Sequence, residues 1–359
     1  MIIFIINYIS ILIYGFFYLL KPTQKCKIII TFIITIQLIF LLGFRKYNIN
    51  TDTLNYYFLY SKLELGDYSS FWGDGFSFSN EYVYKLLNFL AWKLGFTFQT
   101  FLFFVAILEI IPFSIFIYKN SNNFITSFVI LLSFSFYFYS FITIRQFLAY
   151  GLMLLNVENV FKRKWLKFFI VVLISSQIHI SSLFFIPAFF LFRLKPSFKT
   201  ITTFFIIGVL FLLFRKTIIT FIINGLFPSY QIIETTSIAF LLFNMFIFLC
   251  CLFIYNYYHR SLGLLEANSG ENQNNSYFLM CFLTGILLMV FCTITDNALR
   301  IAQFYSIFII IVIPNCVNYL DKKTQSLVYP MVYIILAIVF LKTMDSISAN
   351  MPQYVAFWM

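Results

Sequence analysis

The sequence predicts an all-α polytopic membrane protein, and three observations predict it. Apolar runs of about 20 residues recur along the whole chain, the length a helix needs to cross bilayer hydrocarbon. Of the 359 residues 62% are hydrophobic and only 10% charged, with a mean hydropathy of +0.91, a balance foreign to a soluble domain of this size. The basic residues gather at the ends of the apolar runs, as membrane topology requires, rather than in one patch. A β-barrel would show short alternating segments instead.

About twelve spans follow, within a range of ten to fourteen: residues 2–20, 27–44, 97–118, 124–142, 145–161, 165–178, 180–194, 199–214, 237–257, 276–295, 298–319 and 325–343. The first lacks the basic n-region and small-residue cleavage site of a signal peptide, so it reads as a span. The run 180–194 is short enough for a half-span. Connections holding Lys21, Lys25 and Lys27, then Lys119, then Lys162, Arg163, Lys164 and Lys167, then Arg193, Lys195 and Lys199, then Arg260, then Lys322 and Lys323 define the cytoplasmic side. The opposite side carries the acids Asp52, Glu64, Asp67, Asp74, Glu81, Glu234, Asp296 and Asp345, and both termini are expected there.

The chain 1–359 reads as a single integral membrane domain with three notable connections. Residues 45–96 form the longest outward loop, rich in Asp, Gly, Trp and Tyr around Phe71-Trp72-Gly73-Asp74-Gly75. Its tail, Glu81 to Leu94, has helical periodicity but cannot span, because crossing there would put Lys119 on the wrong side. It is expected to be a re-entrant or interfacial helix. A second outward segment, 215–236, is punctuated by Pro and Gly, and the polar stretch 259–276 reads as a flexible cytoplasmic linker.

Several function classes are excluded or weakened. The net charge of +11 is dispersed over helix ends, unlike a phosphate-backbone groove, so no nucleic-acid partner is expected. The 52 Phe and 24 Tyr accompany enrichment in Ile, Asn and Lys, which reads as compositional bias rather than a sugar-stacking surface. Six cysteines without CxxC spacing read as small buried hydrophobes. No GxxxxGK[ST] loop, no pair of Asp two apart and no His/Cys/carboxylate cluster with ligand spacing occurs, so neither cofactor nor metal is expected.

The few charges near the outward face then carry the chemistry, since titratable groups at that depth are costly unless partnered. Arg145 and Arg300 each open a span, where the helix dipole and unpaired N–H groups also favour anions. Arginine grips phosphate bidentately, so two such ends facing each other make a diphosphate clamp; the bland alternative is snorkelling to lipid headgroups. His179, in Ser175-Ser176-Gln177-Ile178-His179-Ile180-Ser181-Ser182, is suited to accept a hydroxyl proton or to serve as a turn histidine bonded to its serines. Asp52 can orient an acceptor hydroxyl or cap the following helix, with Thr51 and Thr53 as rivals for the cap. Glu109 lies mid-span, where an ionised acid costs about 2.5–3.5 kcal/mol, and is expected to be protonated or paired inward as a supporting residue. Gln146 and Tyr56 are further supporting candidates.

Four stretches resemble the EpsG family of bacterial polysaccharide-biosynthesis membrane proteins, related to Wzy-type O-antigen and capsule polymerases. They are Thr51-Asp52-Thr53 with its tyrosines, Arg145-Gln146-Phe147-Leu148-Ala149, Gln177-Ile178-His179-Ile180-Ser181-Ser182-Leu183, and Leu299-Arg300-Ile301-Ala302-Gln303-Phe304-Tyr305 with Pro314 beyond. The resemblance implies a GT-C-like architecture that joins oligosaccharide repeat units carried on undecaprenyl diphosphate at the outer face of the inner membrane. Its implied partners are those lipid-linked units, membrane lipids and a separate chain-length regulator. A flippase for the same lipid is the first rival, and it would need polar groups along a path through the bilayer. A membrane acyltransferase is the second, and it would need a His or Arg pair in the first span, which has neither.

Overall fold

The computed structural model describes residues 2–47, 51–73, 81–226, 238–261, 270–295, 297–350 and 354–358, and these are helical nearly throughout. Among the described residues eight helices are long and apolar enough to cross a membrane, joined by shorter apolar ones. The protein is a polytopic α-helical membrane protein. The described residues group into two compact units: residues 1–158, 166–183 and 326–359, and residues 159–165 and 184–325.

The first unit opens with α1 (Ile2–Leu20) and α2 (Gln24–Gly43), both crossing candidates. Thr23 caps α2, its hydroxyl accepting from Cys26 N–H at 3.2 Å. In the following loop come α3 (Thr51–Glu64), α4 (Tyr68–Trp72) and α5 (Tyr82–Lys93). Asp67 caps α4 through Ser70, whose N–H and hydroxyl hold that exposed carboxyl down at about 2. Then α6 (Phe98–Asn120) crosses and packs along α2. A Cβ on Gly43 would fall 2.5 Å from the Phe103 ring, so the glycine allows the close approach, and the Thr35 hydroxyl donates to Ser114 Oγ at 2.7 Å across the interface. Helices α7 (Phe124–Ser133), α8 (Phe136–Tyr139), α9 (Ile144–Phe161) and α10 (Trp165–Ser176) follow.

The second unit holds α11 (Ala188–Leu191), α12 (Phe198–Leu226), α13 (Ile238–Ser261), α14 (Gly270–Met289), α15 (Asn297–Ser306) and α16 (Ile309–Asn318). Helices α15 and α16 together make one crossing candidate, 89% buried, packed on α14, whereas the α12 and α13 spans are 11% and 17% buried. The core of this unit is therefore α14 to α16, and the Phe- and Leu-rich flanks of α12 and α13 suit lipid. The last helix, α17 (Lys322–Asn350), lies mostly in the first unit, where Phe340 stacks on Tyr8 with ring centroids 4.3 Å apart.

Several expected boundaries are corrected. The span 124–142 is broken at Ser135, which takes a left-handed φ of 64°, so α7 and α8 are separate short helices. The span 180–194 is a 3-10 helix, Ile180–Phe185, followed by the single turn of α11. Helix α10 is 12 residues long, too short to cross. Helix α9 matches 145–161, yet Arg145, Gln146, Asn156, Glu158 and Asn159 leave it outside the crossing candidates. Helix α12 runs through residues 215–226, the first part of the second outward segment. Helices α13 and α14 likewise take up both ends of 259–276. Residues 227–236, 262–269, Asp74 and Asp296 lie outside the described residues. The helix expected at 81–94 is α5.

Candidate functional site

In the first unit four segments distant in sequence bring their polar side chains together: α3, the start of α5, the start of α9, and the turn after α10. The local reason lies at the N-terminus of α5. Glu81 occupies its N-cap position, where an acidic side chain ordinarily accepts from the first turn, but it makes no such bond. The N–H groups of Val83 and Tyr84 donate instead to the Gln177 carbonyl, at 3.1 and 3.3 Å. The Gln177-Ile178-His179 turn therefore caps α5 from across the fold, and the Glu81 carboxylate is available for other partners.

It takes two. Oε2 of Glu81 pairs with Nη1 of Arg145, and Oε1 lies 3.2 Å from Nδ1 of His179. Glu81 and His179 are buried and Arg145 is largely so, at 9%, 8% and 13% side-chain exposure. Arg145 is the second residue of α9, so its charge faces the positive end of that helix dipole, an unfavourable placement that the carboxylate offsets. Its guanidinium also lies over two phenol rings, 5.6 Å from the Tyr56 centroid and 6.0 Å from that of Tyr84, which retain its charge in a water-poor site. Burial pushes both tyrosine hydroxyls up against the pull of Arg145, so they remain protonated donors. The Tyr56 hydroxyl itself bonds Arg145.

The histidine is held by its own turn. Its N–H donates to the Ser175 carbonyl at 2.9 Å, its carbonyl accepts from Ser182 N–H and Oγ at 3.0 and 2.9 Å, and the two serine hydroxyls meet at 2.8 Å. The turn expected of His179 is therefore present in its backbone and its serines, while the ring faces the Glu81 carboxylate.

The other expected residues fall at varying distances from this centre. Asp52 sits half-buried in the first turn of α3 and acts on the Tyr56 hydroxyl through space. The helix begins at Thr51, so Asp52 stands inside the first turn rather than at the cap, where its charge still favours the helix. Thr53 is buried and donates to the Phe141 carbonyl at 3.2 Å. Gln146 turns along α9 to bond the Tyr150 hydroxyl. Glu109 is fully buried in α6, and neither carboxylate oxygen has a hydrogen-bond partner among the described residues. Arg45 acts on it through space, its own guanidinium pushed down by burial and partly restored by Glu109. Arg45 donates from Nη1 to the Leu42 carbonyl at 2.6 Å, and its backbone is paired with Ala356 near the C-terminus. Glu109 is thus a structural partner of Arg45. Arg300 is the fourth residue of α15, half-buried, and belongs to the second unit.

Glu81 is the residue that sequence reasoning missed as a functional group. Sequence counted it as one of several outward acids at the start of a periodic stretch, which is how an ordinary N-cap looks. Lys85, one turn on, was also passed over: it is fully buried and donates to the carbonyls of Trp72 and Gly73 at 3.2 and 3.3 Å. Among the described residues no group of three His, Cys, Asp or Glu side chains gathers to hold a metal ion.

The model of the EpsG family matches residues 27–355, a range that contains all of these groups. No curated protein and no solved structure matches the chain. A match over most of the length settles the family: the chain belongs to the EpsG family and is a membrane protein related to polysaccharide biosynthesis.

Proposed function

We propose that this protein is a glycosyltransferase-type polymerase that joins oligosaccharide repeat units carried on undecaprenyl diphosphate, at the outer face of the inner membrane. The observation that carries this reading is the seat of Glu81, where Arg145 and His179 converge on one pair of oxygens. A guanidinium in such a site has the donors that a phosphate oxygen needs, and an imidazole beside it has a ring nitrogen that can accept the proton of an attacking hydroxyl. EpsG family membership supports the same direction.

In the proposed reaction the growing chain, linked through its reducing-end sugar to lipid diphosphate, is the donor. A hydroxyl on the next lipid-linked unit attacks the anomeric carbon. The new carbon–oxygen bond forms as the bond to the phosphate oxygen breaks, and the electron pair leaves with the diphosphate. Arg145 neutralises that departing charge, and His179 or Asp52 takes the hydroxyl proton; Arg300 is the second cation that the sequence puts forward for this role. A single displacement inverts the anomeric carbon.

A polysaccharide ladder gel tests this in a deletion strain complemented with wild type, Arg145→Ala, His179→Ala or Arg300→Ala. The expected result is collapse of the surface glycan to single repeat units in the deletion, with no recovery in the variants. Loss of all glycan, single units included, would place the protein in export or precursor assembly. Long polymer with Arg300→Ala would remove Arg300 from the clamp and leave Arg145 as its cation.

A further inference from the structure

We infer that Glu81 is the positioning residue for His179, holding the imidazole in the tautomer that makes it the proton acceptor; this rests on the polymerase reading above. An ionised carboxylate only accepts hydrogen bonds, so its 3.2 Å contact with Nδ1 requires the ring proton on Nδ1. That leaves Nε2 with its lone pair to take the proton of an incoming hydroxyl. The imidazolium formed in that step stays next to the Glu81 carboxylate, which stabilises it until the proton passes on to water.

Arg145 completes the division of labour. Its guanidinium takes up Oε2, so that Oε1 is the carboxylate oxygen that faces the ring. Tyr56 from α3 and Tyr84 from α5 lie against Arg145 and remain protonated, and Asp52 acts on the Tyr56 hydroxyl. Of the two acceptors that the sequence leaves open, geometry therefore favours His179. The cap geometry points the same way. Gln177, two residues before His179, satisfies the α5 terminus in place of the Glu81 side chain, so the carboxylate and the ring are fixed by the same backbone contact.

The test uses the purified full-length protein in nanodiscs, with lipid-linked repeat units extracted from the deletion strain as substrate. Elongation is followed for wild type, Glu81→Gln, Glu81→Asp, His179→Ala and the double variant Glu81→Gln with His179→Ala. Glu81→Gln should lower kcat by about 10²–10⁴-fold, the share of a positioned base, with KM for the donor little changed. Glu81→Asp, which keeps the charge, should retain part of the rate. In the His179→Ala background Glu81→Gln should cost nothing further, because groups acting as one unit do not add.

Losses that multiply in the double variant, or a Glu81→Gln protein at full rate, overturn the proposal. Where Glu81→Gln does not reach the membrane, the same cycle is run with Glu81→Asp and read in the same way. A wild type that leaves the units at their starting length fails the polymerase reading, and the positioning role falls with it. A wild type that elongates while the Glu81 variants match it fails the positioning role alone.

Discussion

With the proposed polymerase function, Arg145→Ala should abolish long polymer and leave lipid-linked units accumulating as single repeats. Two effects combine in that result. The leaving diphosphate loses a guanidinium, and removing one preorganised donor of this kind costs about 10²–10³ in rate. The Glu81 carboxylate, 9% exposed, is also left without its main counter-charge, and breaking a buried ion pair from one side costs about 3–5 kcal/mol. Arg145→Lys separates the two. Lysine retains the charge beside Glu81 but loses the planar fork, so the variant should reach the membrane at wild-type level and still make little polymer. Wild-type polymer length with Arg145→Lys would show that a point charge suffices there. Wild-type length with Arg145→Ala would remove the arginine from the chemistry.

A second large effect is expected at a glycine contact between two helices. In the second unit, a Cβ on Gly285 of α14 would fall 2.5 Å from the Ser306 nitrogen, 2.8 Å from its Cα and 3.0 Å from the Tyr305 carbonyl carbon. These are backbone atoms where α15 ends, so no side chain can swing aside. Gly285→Val should therefore push α14 and α15 apart and destabilise the protein by roughly 3 kcal/mol or more, the upper end for overpacking. Gly270→Ala, with nothing within 4 Å of the added carbon, is the control and should leave stability unchanged. Thermal unfolding of the detergent-solubilised variants measures both. A Gly285→Val protein as stable as wild type would mean that the α14–α15 contact is looser than its geometry.

How much was legible in the sequence differs by residue. Long crossing helices such as α1, α2 and α6 announce themselves, because a bilayer demands about 20 apolar residues and the chain supplies them with basic ends. The break at Ser135 is invisible: serine carries no local preference for a left-handed conformation, and the apolar run continues through it. The end of the 199–214 run is misread for a related reason. Arg215 and Lys216 look like a helix end, yet a helix has no need to stop at the hydrocarbon edge, and α12 continues to Leu226.

The candidate site divides in the same way. Arg145 and His179 stand out because charge is rare in this chain and both fall near a span end. Glu81 does not, because what distinguishes it is a pairing with residues 64 and 98 positions away. Nothing in its neighbours signals that its cap will be filled by Gln177. Asp52 and Gln146 show the converse. Their spacing suits a role beside Tyr56 and Arg145, and the fold directs one to a helix N-terminus and the other to Tyr150.

The most direct measurement of the central claim is reconstitution. Purified wild-type protein is placed in nanodiscs with lipid-linked repeat units and no other protein, and product length is read by mass spectrometry. Products rising in whole repeat units, each new linkage matched by one released lipid diphosphate and absent with Arg145→Lys, are the predicted result. Units that remain at their starting length, with no lipid diphosphate released, would contradict it.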